Sequence, residues 1–164
     1  MTNIDIKHAC TFTGHRPEKL NAPEAKVKKW LEEQIRQAVA DSYTDFITGM
    51  QRGVDLWAAE ILLKLKKEGN PVRIVAAVAF EGMDKGWEDE WKQLYLNTRR
   101  TAFEVHVISK YPGKAAFLKR NDWMVEHANR LIAVSTGAPG GTQKTIDYAV
   151  KKGLEVKRFQ KLKG

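Results

Sequence analysis

The sequence predicts a single α/β domain: a doubly wound, mostly parallel sheet of about six strands with helices on both faces. Three observations predict it. Short apolar runs alternate with helical patterns along the 164 residues. Three glycine-bearing turns each follow an apolar run and open a helix: Thr13-Gly14-His15-Arg16-Pro17, Gly49-Met50-Gln51-Arg52-Gly53-Val54-Asp55 and Pro139-Gly140-Gly141-Thr142. Residues 72–80 are apolar throughout except for Arg73, as suits a strand covered on both faces.

The elements follow in order. Residues 9–13 form a compact strand that runs into Gly14. After Pro23, Val27, Trp30, Leu31, Ile35, Ala38 and Val39 fall on one helical face. Residues 45–48, with Phe46 and Ile47, are a second short strand. The next helix carries Val54, Ala58, Ile61, Leu62 and Leu65 on one stripe and is stopped by Gly69-Asn70-Pro71. The third strand is 72–80, and a polar, aromatic helix spans 86–101. Phe103, Val105 and Val107 alternate with polar residues, which predicts a more exposed fourth strand. Beyond Tyr111-Pro112-Gly113, a helix sets Phe117, Asn121, Met124 and Ala128 along one side. Residues 131–135 are a buried fifth strand. A helix with Ile146, Ala149 and Val150 closes at Lys152-Gly153, and 154–159 is the last strand. By analogy with dinucleotide-binding sheets, a strand order beginning 3-2-1-4 is expected.

Composition bounds the function. Charged residues make up 29% and hydrophobic ones 43%, as in a soluble globular protein, and no linker or repeat divides the chain. No apolar run approaches the ~20 residues of a membrane span, and no membrane partner is expected. Residues 1–8 are mixed polar, so no secretory leader is expected there. Cys10 is the sole cysteine, which excludes an intrachain disulfide and a cysteine zinc site and points to the cytoplasm. His8, His106 and His127 are scattered without clustered carboxylates, and no metal site is expected. The net charge of +8 invites a nucleic-acid reading, but residues 151–164 hold +5 of it, so a solvated basic terminus accounts for most of the excess.

The glycine turns carry the candidate chemistry. In a parallel sheet they lie at strand carboxyl ends, where ligands bind, and helix N-termini there offer free N–H groups to anions. Thr13, Gly14, His15 and Arg16 can supply a hydroxyl, amides and a bidentate guanidinium to a phosphate; the plainer alternative is a solvated polar turn. Gly49 and Gly53 flank the second turn. Asp55 can accept from ribose hydroxyls, or it sits in a first helical turn simply because the macrodipole favours it. Gly140, Gly141, Thr142 and Thr145 form an anion cradle or a plain strand-to-helix loop. Arg120 and Asn121 lie on the helix before the fifth strand, and an arginine beside Phe117 and Met124 invites a partner. Trp87, Trp91 and Tyr95, spaced by four, either stack on a base or pack in the core.

At these residues the chain resembles the YpsA-like family of the SLOG superfamily, which includes the LONELY GUY phosphoribohydrolases and the DNA-processing protein DprA. The matching strings are Thr13-Gly14-His15-Arg16-Pro17 with Leu20, Thr48-Gly49 through Gly53-Val54-Asp55, Phe80-Glu81, Trp87, Tyr95, Arg120-Asn121-Asp122-Trp123-Met124-Val125, and Gly140-Gly141-Thr142 with Thr145 and Tyr148-Ala149. They span residues 13 to 149. The resemblance implies a Rossmann-like fold and a nucleotide or nucleotide-derived, ADP-ribose-like ligand, bound in a sensing, sequestering or regulatory role. No further cofactor is firmly implied, and a homo-oligomer is one open expectation. In the enzymatic relatives an arginine and a glutamate act on an N-glycosidic bond. Arg120, with Met124, fits that arginine motif, and Asp147 falls where the glutamate would lie. Gln143 and Lys144 replace the glycine and threonine of the relatives' Pro-Gly-Gly-x-Gly-Thr turn, and Asp is one methylene shorter than Glu. Binding without turnover is therefore the leading expectation. A phosphoribohydrolase-like activity and DprA-like binding of single-stranded nucleic acid are the alternatives.

Overall fold

The computed structural model describes residues 2–159. Six strands, β1 (Ala9–Gly14), β2 (Asp45–Thr48), β3 (Arg73–Val78), β4 (Glu104–Val107), β5 (Arg130–Val134) and β6 (Glu155–Arg158), form one sheet in the order β4-β3-β2-β1-β5-β6. Every neighbouring pair is parallel. The helices are α1 (Glu24–Ala40), α2 (Val54–Lys67), α3 (Asp89–Thr101), α4 (Lys114–Glu126) and α5 (Gly141–Lys151). The sequence-based elements and the doubly wound α/β class hold. Of the basic segment 151–164, residues 160–164 lie outside the described residues.

The expected strand order is corrected at its fourth place. β5, not β4, pairs with β1, while β4 adds to the outer side of β3. Burial explains the exchange. Every residue of β5 is buried, which an interior strand requires, whereas Val105 and Val107 of β4 are 38% and 41% exposed. An edge place leaves one side of β4 to solvent. The chain therefore winds outward from β1 through β2 and β3 to β4, then returns to the other side of β1 for β5 and β6.

Side chains alternate across the sheet and divide the core in two. Cys10, Phe12, Phe46, Ile74 and Ile132 pack against Leu31 and Ile35 of α1 and Ala58 and Leu62 of α2. Tyr95 of α3 joins Leu56, Ala76 and Val78. On the opposite face, Ile47, Val75 and Ala77 meet Met124, and Leu131 and Ala133 meet Val125, Ile146 and Ala149. The lone cysteine is fully buried in β1, where desolvation pushes its thiol upward and leaves it unreactive. Trp57 and Trp91 lie 6.0 Å apart, and Trp87 meets Tyr95 edge-on at 5.7 Å. Packing, rather than base stacking, is what this aromatic stripe does.

Ion pairs close the amino ends of the strands. Asp45 is fully buried at the start of β2. Nε and Nη2 of Arg73 each donate to one of its carboxylate oxygens at 2.8 Å, and the Asp5 amide adds a third contact at 2.8 Å. Arg130, which opens β5, pairs through Nη2 with Asp41 at 2.9 Å.

Candidate functional site

The opposite, carboxyl end of the sheet holds a cleft of about 710 Å³, within the ~300–1,000 Å³ usual for small-molecule sites. It lies where β1 and β5 meet, the place at which the winding reverses direction and where sheets of this class receive ligands. The loop after β1 contributes Thr13, Gly14, His15, Arg16 and Lys19. The turn after β2 contributes Gln51 and Asp55, and Phe80 follows β3. From α4 come Lys114, Phe117, Leu118, Arg120 and Asn121. The loop after β5 adds Thr136, Pro139, Gly140, Gly141, Thr142 and Lys144. Helices α2, α4 and α5 start beside this space with glycine at the N-cap and no capping side chain. Their first amides therefore remain available to an anion.

The second glycine turn supports the cleft from below. Gly53 has φ of 97°, a left-handed conformation that a side chain strains, and a Cβ there would stand 3.1 Å from His15 O and 3.0 Å from Pro17 Cδ. The Arg52–Glu18 ion pair, at 3.1 Å, ties the same turn to the first loop. A Cβ on Gly49 would stand 2.6 Å from Asp55 Oδ2 and 3.0 Å from Arg120 Nε. Gly49 thus leaves room for two charged side chains that arrive from α2 and α4. Across the cleft, His15 Nε2 and Thr136 Oγ1 are 3.1 Å apart, which joins the loops after β1 and β5.

Electrostatically the floor is unsettled. Arg120 is 6% exposed, and its hydrogen bonds all go to neutral oxygens: Nη1 to Gly49 O at 2.8 Å, Nε and Nη2 to Asn121 Oδ1 at 3.2 and 2.9 Å. A guanidinium has five N–H donors, so two remain. Burial lowers its pKa, Asp55 opposes that, and Arg16 adds to it. Asp55 is also buried and accepts only a long bond from the Gln51 amide, 3.4 Å. Burial pushes its carboxyl up to about 6, partly offset by Arg120 and by that amide. Desolvation, followed by Lys19, holds His15 below the usual imidazole range. Arg16, Lys19, Lys114 and Lys144 stand exposed around the rim, and Asp55 is the one carboxylate among the lining residues.

The structure brings together Thr13, Gly14, His15, Arg16, Asp55, Arg120, Asn121, Gly140, Gly141 and Thr142. Gly49, Gly53 and Thr145 stand behind the lining. Thr145 Oγ1 is turned back on its own helix, donating to Gly141 O at 2.9 Å. Asp147 is outside: exposed on α5, it accepts from Gln143 Nε2 at 2.9 Å. The helix phase that buries Thr142, Thr145, Ile146 and Ala149 turns Asp147 to solvent, apart from the lining that the other expected residues share. Sequence reasoning missed Phe12, Lys19, Gln51, Phe80, Lys114, Phe117, Leu118, Thr136 and Lys144 as lining residues. A usable signal for Lys114 and Lys144 was their position within the first turns of α4 and α5, and for Lys19 its closeness to the first glycine turn.

A match to the YspA SLOG family, YpsA, covers residues 10–160. A UPF0398 protein of Oceanobacillus iheyensis is 28% identical over 148 residues, 85% of this chain and 80% of the relative. A UPF0398 protein of Bacillus thuringiensis is 27% identical over 135 residues, 81% of this chain and 73% of the relative. Among solved structures, DNA processing protein A from Streptococcus pneumoniae superimposes with a TM-score of 0.69 at 18% identity, over 95% of this chain. This chain spans about half, 51%, of that protein's length. DNA processing protein A from Helicobacter pylori, whose structure is described for its single-stranded DNA binding mode, gives 0.68 at 16% identity over 96% of this chain and 68% of its own.

Proposed function

The chain belongs to the YspA SLOG family, and from that premise we propose that its cleft binds a nucleotide or nucleotide-derived ligand, of which an ADP-ribose-like molecule is one example. The role is sensing, sequestering or regulatory. The observation that carries this reading is Arg120: a guanidinium with neutral acceptors only, 6% exposed at the floor of a cleft rimmed by four more cations. Asp55 is the nearby counter-charge but is not hydrogen-bonded to it; a buried charge so incompletely paired is costly, and an anionic ligand relieves that cost. Arg16 at the mouth and the uncapped start of α5 supply the second and third contacts to a phosphate.

A ligand-bound crystal structure tests it. The phosphate should touch at least one residue of 14–16 and at least one of 140–142. A nucleotide bound elsewhere, with both turns empty, overturns the proposal.

Binding of single-stranded nucleic acid is the second reading. The Helicobacter pylori neighbour and the rim of Arg16, Lys19, Lys114 and Lys144 favour it. Affinity for an oligonucleotide that falls steeply with salt distinguishes it from a small-molecule site. N-glycosidic hydrolysis has less support, since Asp147 stands outside the cleft.

A further inference from the structure

We propose that Phe80 and Phe117 form a second subsite in the same cleft, an aromatic wall that seats a nucleobase. The preferred ligand is then a phosphate that carries a base, rather than a phosphorylated sugar or a free anion. This inference rests on the phosphate reading of the cleft and adds to it the half of the ligand that the cations do not recognise.

Phe80 follows the end of β3 and Phe117 projects from the end of the first turn of α4. Their ring centroids are 5.4 Å apart at 71°, edge to face. Both rings are only partly buried, and both line the cleft with Leu118 beside them. Beneath them lie Met50, Ala79, Met83 and Ala116, all buried. The rings are therefore fixed from the core side and open on the ligand side. A wall held in this way costs little ordering entropy when a planar group lies on it.

Position makes the wall part of a composite site. Phe117 and Arg120 are three residues apart on α4, neighbours on one helical face. The guanidinium carbon is 5.2 Å from the Phe117 ring centroid. A ligand that meets both presents an anion and a flat apolar surface a few ångströms apart, the arrangement of a base joined to a phosphate through a sugar. A phenylalanine wall offers no hydrogen-bond partner, so sugar hydroxyls gain nothing against it. Asp55 and Gln51, which share the lining, can take them instead.

Calorimetric titration of wild type, Phe117→Leu and Phe80→Leu tests the wall with four probes: adenosine monophosphate, ribose 5-phosphate, inorganic phosphate and an oligothymidylate. Leucine keeps the core filled and removes the aromatic face. For wild type, adenosine monophosphate is expected to bind about tenfold or more tighter than ribose 5-phosphate. Each leucine variant should lose most of that ratio, with ribose 5-phosphate affinity and melting temperature held. If the oligothymidylate binds tighter than the mononucleotide and also weakens in both variants, the base belongs to a strand and the wall stands. Equal affinity of wild type for the nucleotide and the sugar phosphate overturns the wall and leaves the phosphate reading intact. So does base-bearing ligand affinity that the variants do not change. Failure of all four probes to bind overturns the phosphate reading and the wall with it.

Discussion

Asp45 and Asp55 are both buried aspartates, ten residues apart, one at the start of β2 and the other at the start of α2, beyond the strand's carboxyl end. Asp45 receives two bonds from Arg73 and one from the Asp5 amide, each 2.8 Å. Asp55 has one amide contact at 3.4 Å, and its nearby arginine is bonded to a carbonyl and a carboxamide instead. The same residue type is thus satisfied at the amino end of the sheet and under-satisfied at the carboxyl end. The difference teaches where stability is placed and where it is withheld: one end fixes the strands, the other leaves buried charges incompletely paired, as the proposed anion site requires. Proteins commonly give up stability at such sites.

Removing Arg73 should have the largest effect. Arg73→Met strands the Asp45 carboxylate in a fully buried position, with an expected loss of about 3 kcal/mol in urea unfolding. Arg73 is itself 40% exposed, which keeps the figure at the low end. Ligand affinity of the folded variant should not change. A loss below about 1 kcal/mol would erase the contrast between the two ends.

Asp55→Asn should move stability the other way. The folded state holds the Asp55 proton up to about pH 6, whereas the unfolded chain releases it at the ordinary aspartate value near 4. Folding therefore takes up a proton between those values, and wild-type stability falls as pH rises from about 4 to about 6 and stays lower above. The asparagine variant should match wild type near pH 4 and exceed it at pH 8 by up to about 3 kcal/mol, two units at about 1.4 kcal/mol each. Destabilisation at pH 8 would make Asp55 a structural residue like Asp45.

Arg16→Ala sharpens the comparison from the rim. Loss of a charge-assisted contact should weaken adenosine monophosphate binding by about 1.5–3 kcal/mol, with melting temperature unchanged. A collapsed melting temperature with intact affinity would assign Arg16 to the fold. The smallest effect is expected at Asp147→Asn, which should alter affinity by less than about 0.5 kcal/mol. An assay of free-base release from nucleoside monophosphates should read zero for wild type. Multiple-turnover release that this substitution abolishes would reinstate the hydrolase.

Much of the fold was legible because its signals are local. Helical spacing in Val27, Leu31 and Ile35 and the continuous apolar run 72–80 report burial directly, and burial is what the structure shows. Strand order was not, since it depends on which strands meet and no local pattern encodes that. The exposed alternation of Val105 and Val107 did contain the edge position of β4. In the site, the glycine turns marked the place but not the contributors. Phe80 and Phe117 look like core in sequence, and Lys19, Lys114 and Lys144 look like solvated surface. Only the meeting of the loop after β1 with the end of β3, α4 and α5 turns them toward one space. Asp147 lies outside the cleft for a rotational reason: four residues after Gln143, it shares that residue's outer face.

The vacancy at Gly49 constrains how this site can change. Its missing side chain is the space that Asp55 and Arg120 occupy, so positions on a strand end and two helices behave as one locked unit. Any larger residue at 49 collides with both side chains until they are shortened. Shortening either while Gly49 remains opens a hole beside a stranded charge. Enlarging residue 49 alone, or shortening 55 or 120 alone, thus passes through a worse intermediate, whereas a change that keeps side-chain size, such as Asp55→Asn, does not. Side-chain size at 49, 55 and 120 should therefore change in concert, even where the charge at 55 does not stay fixed.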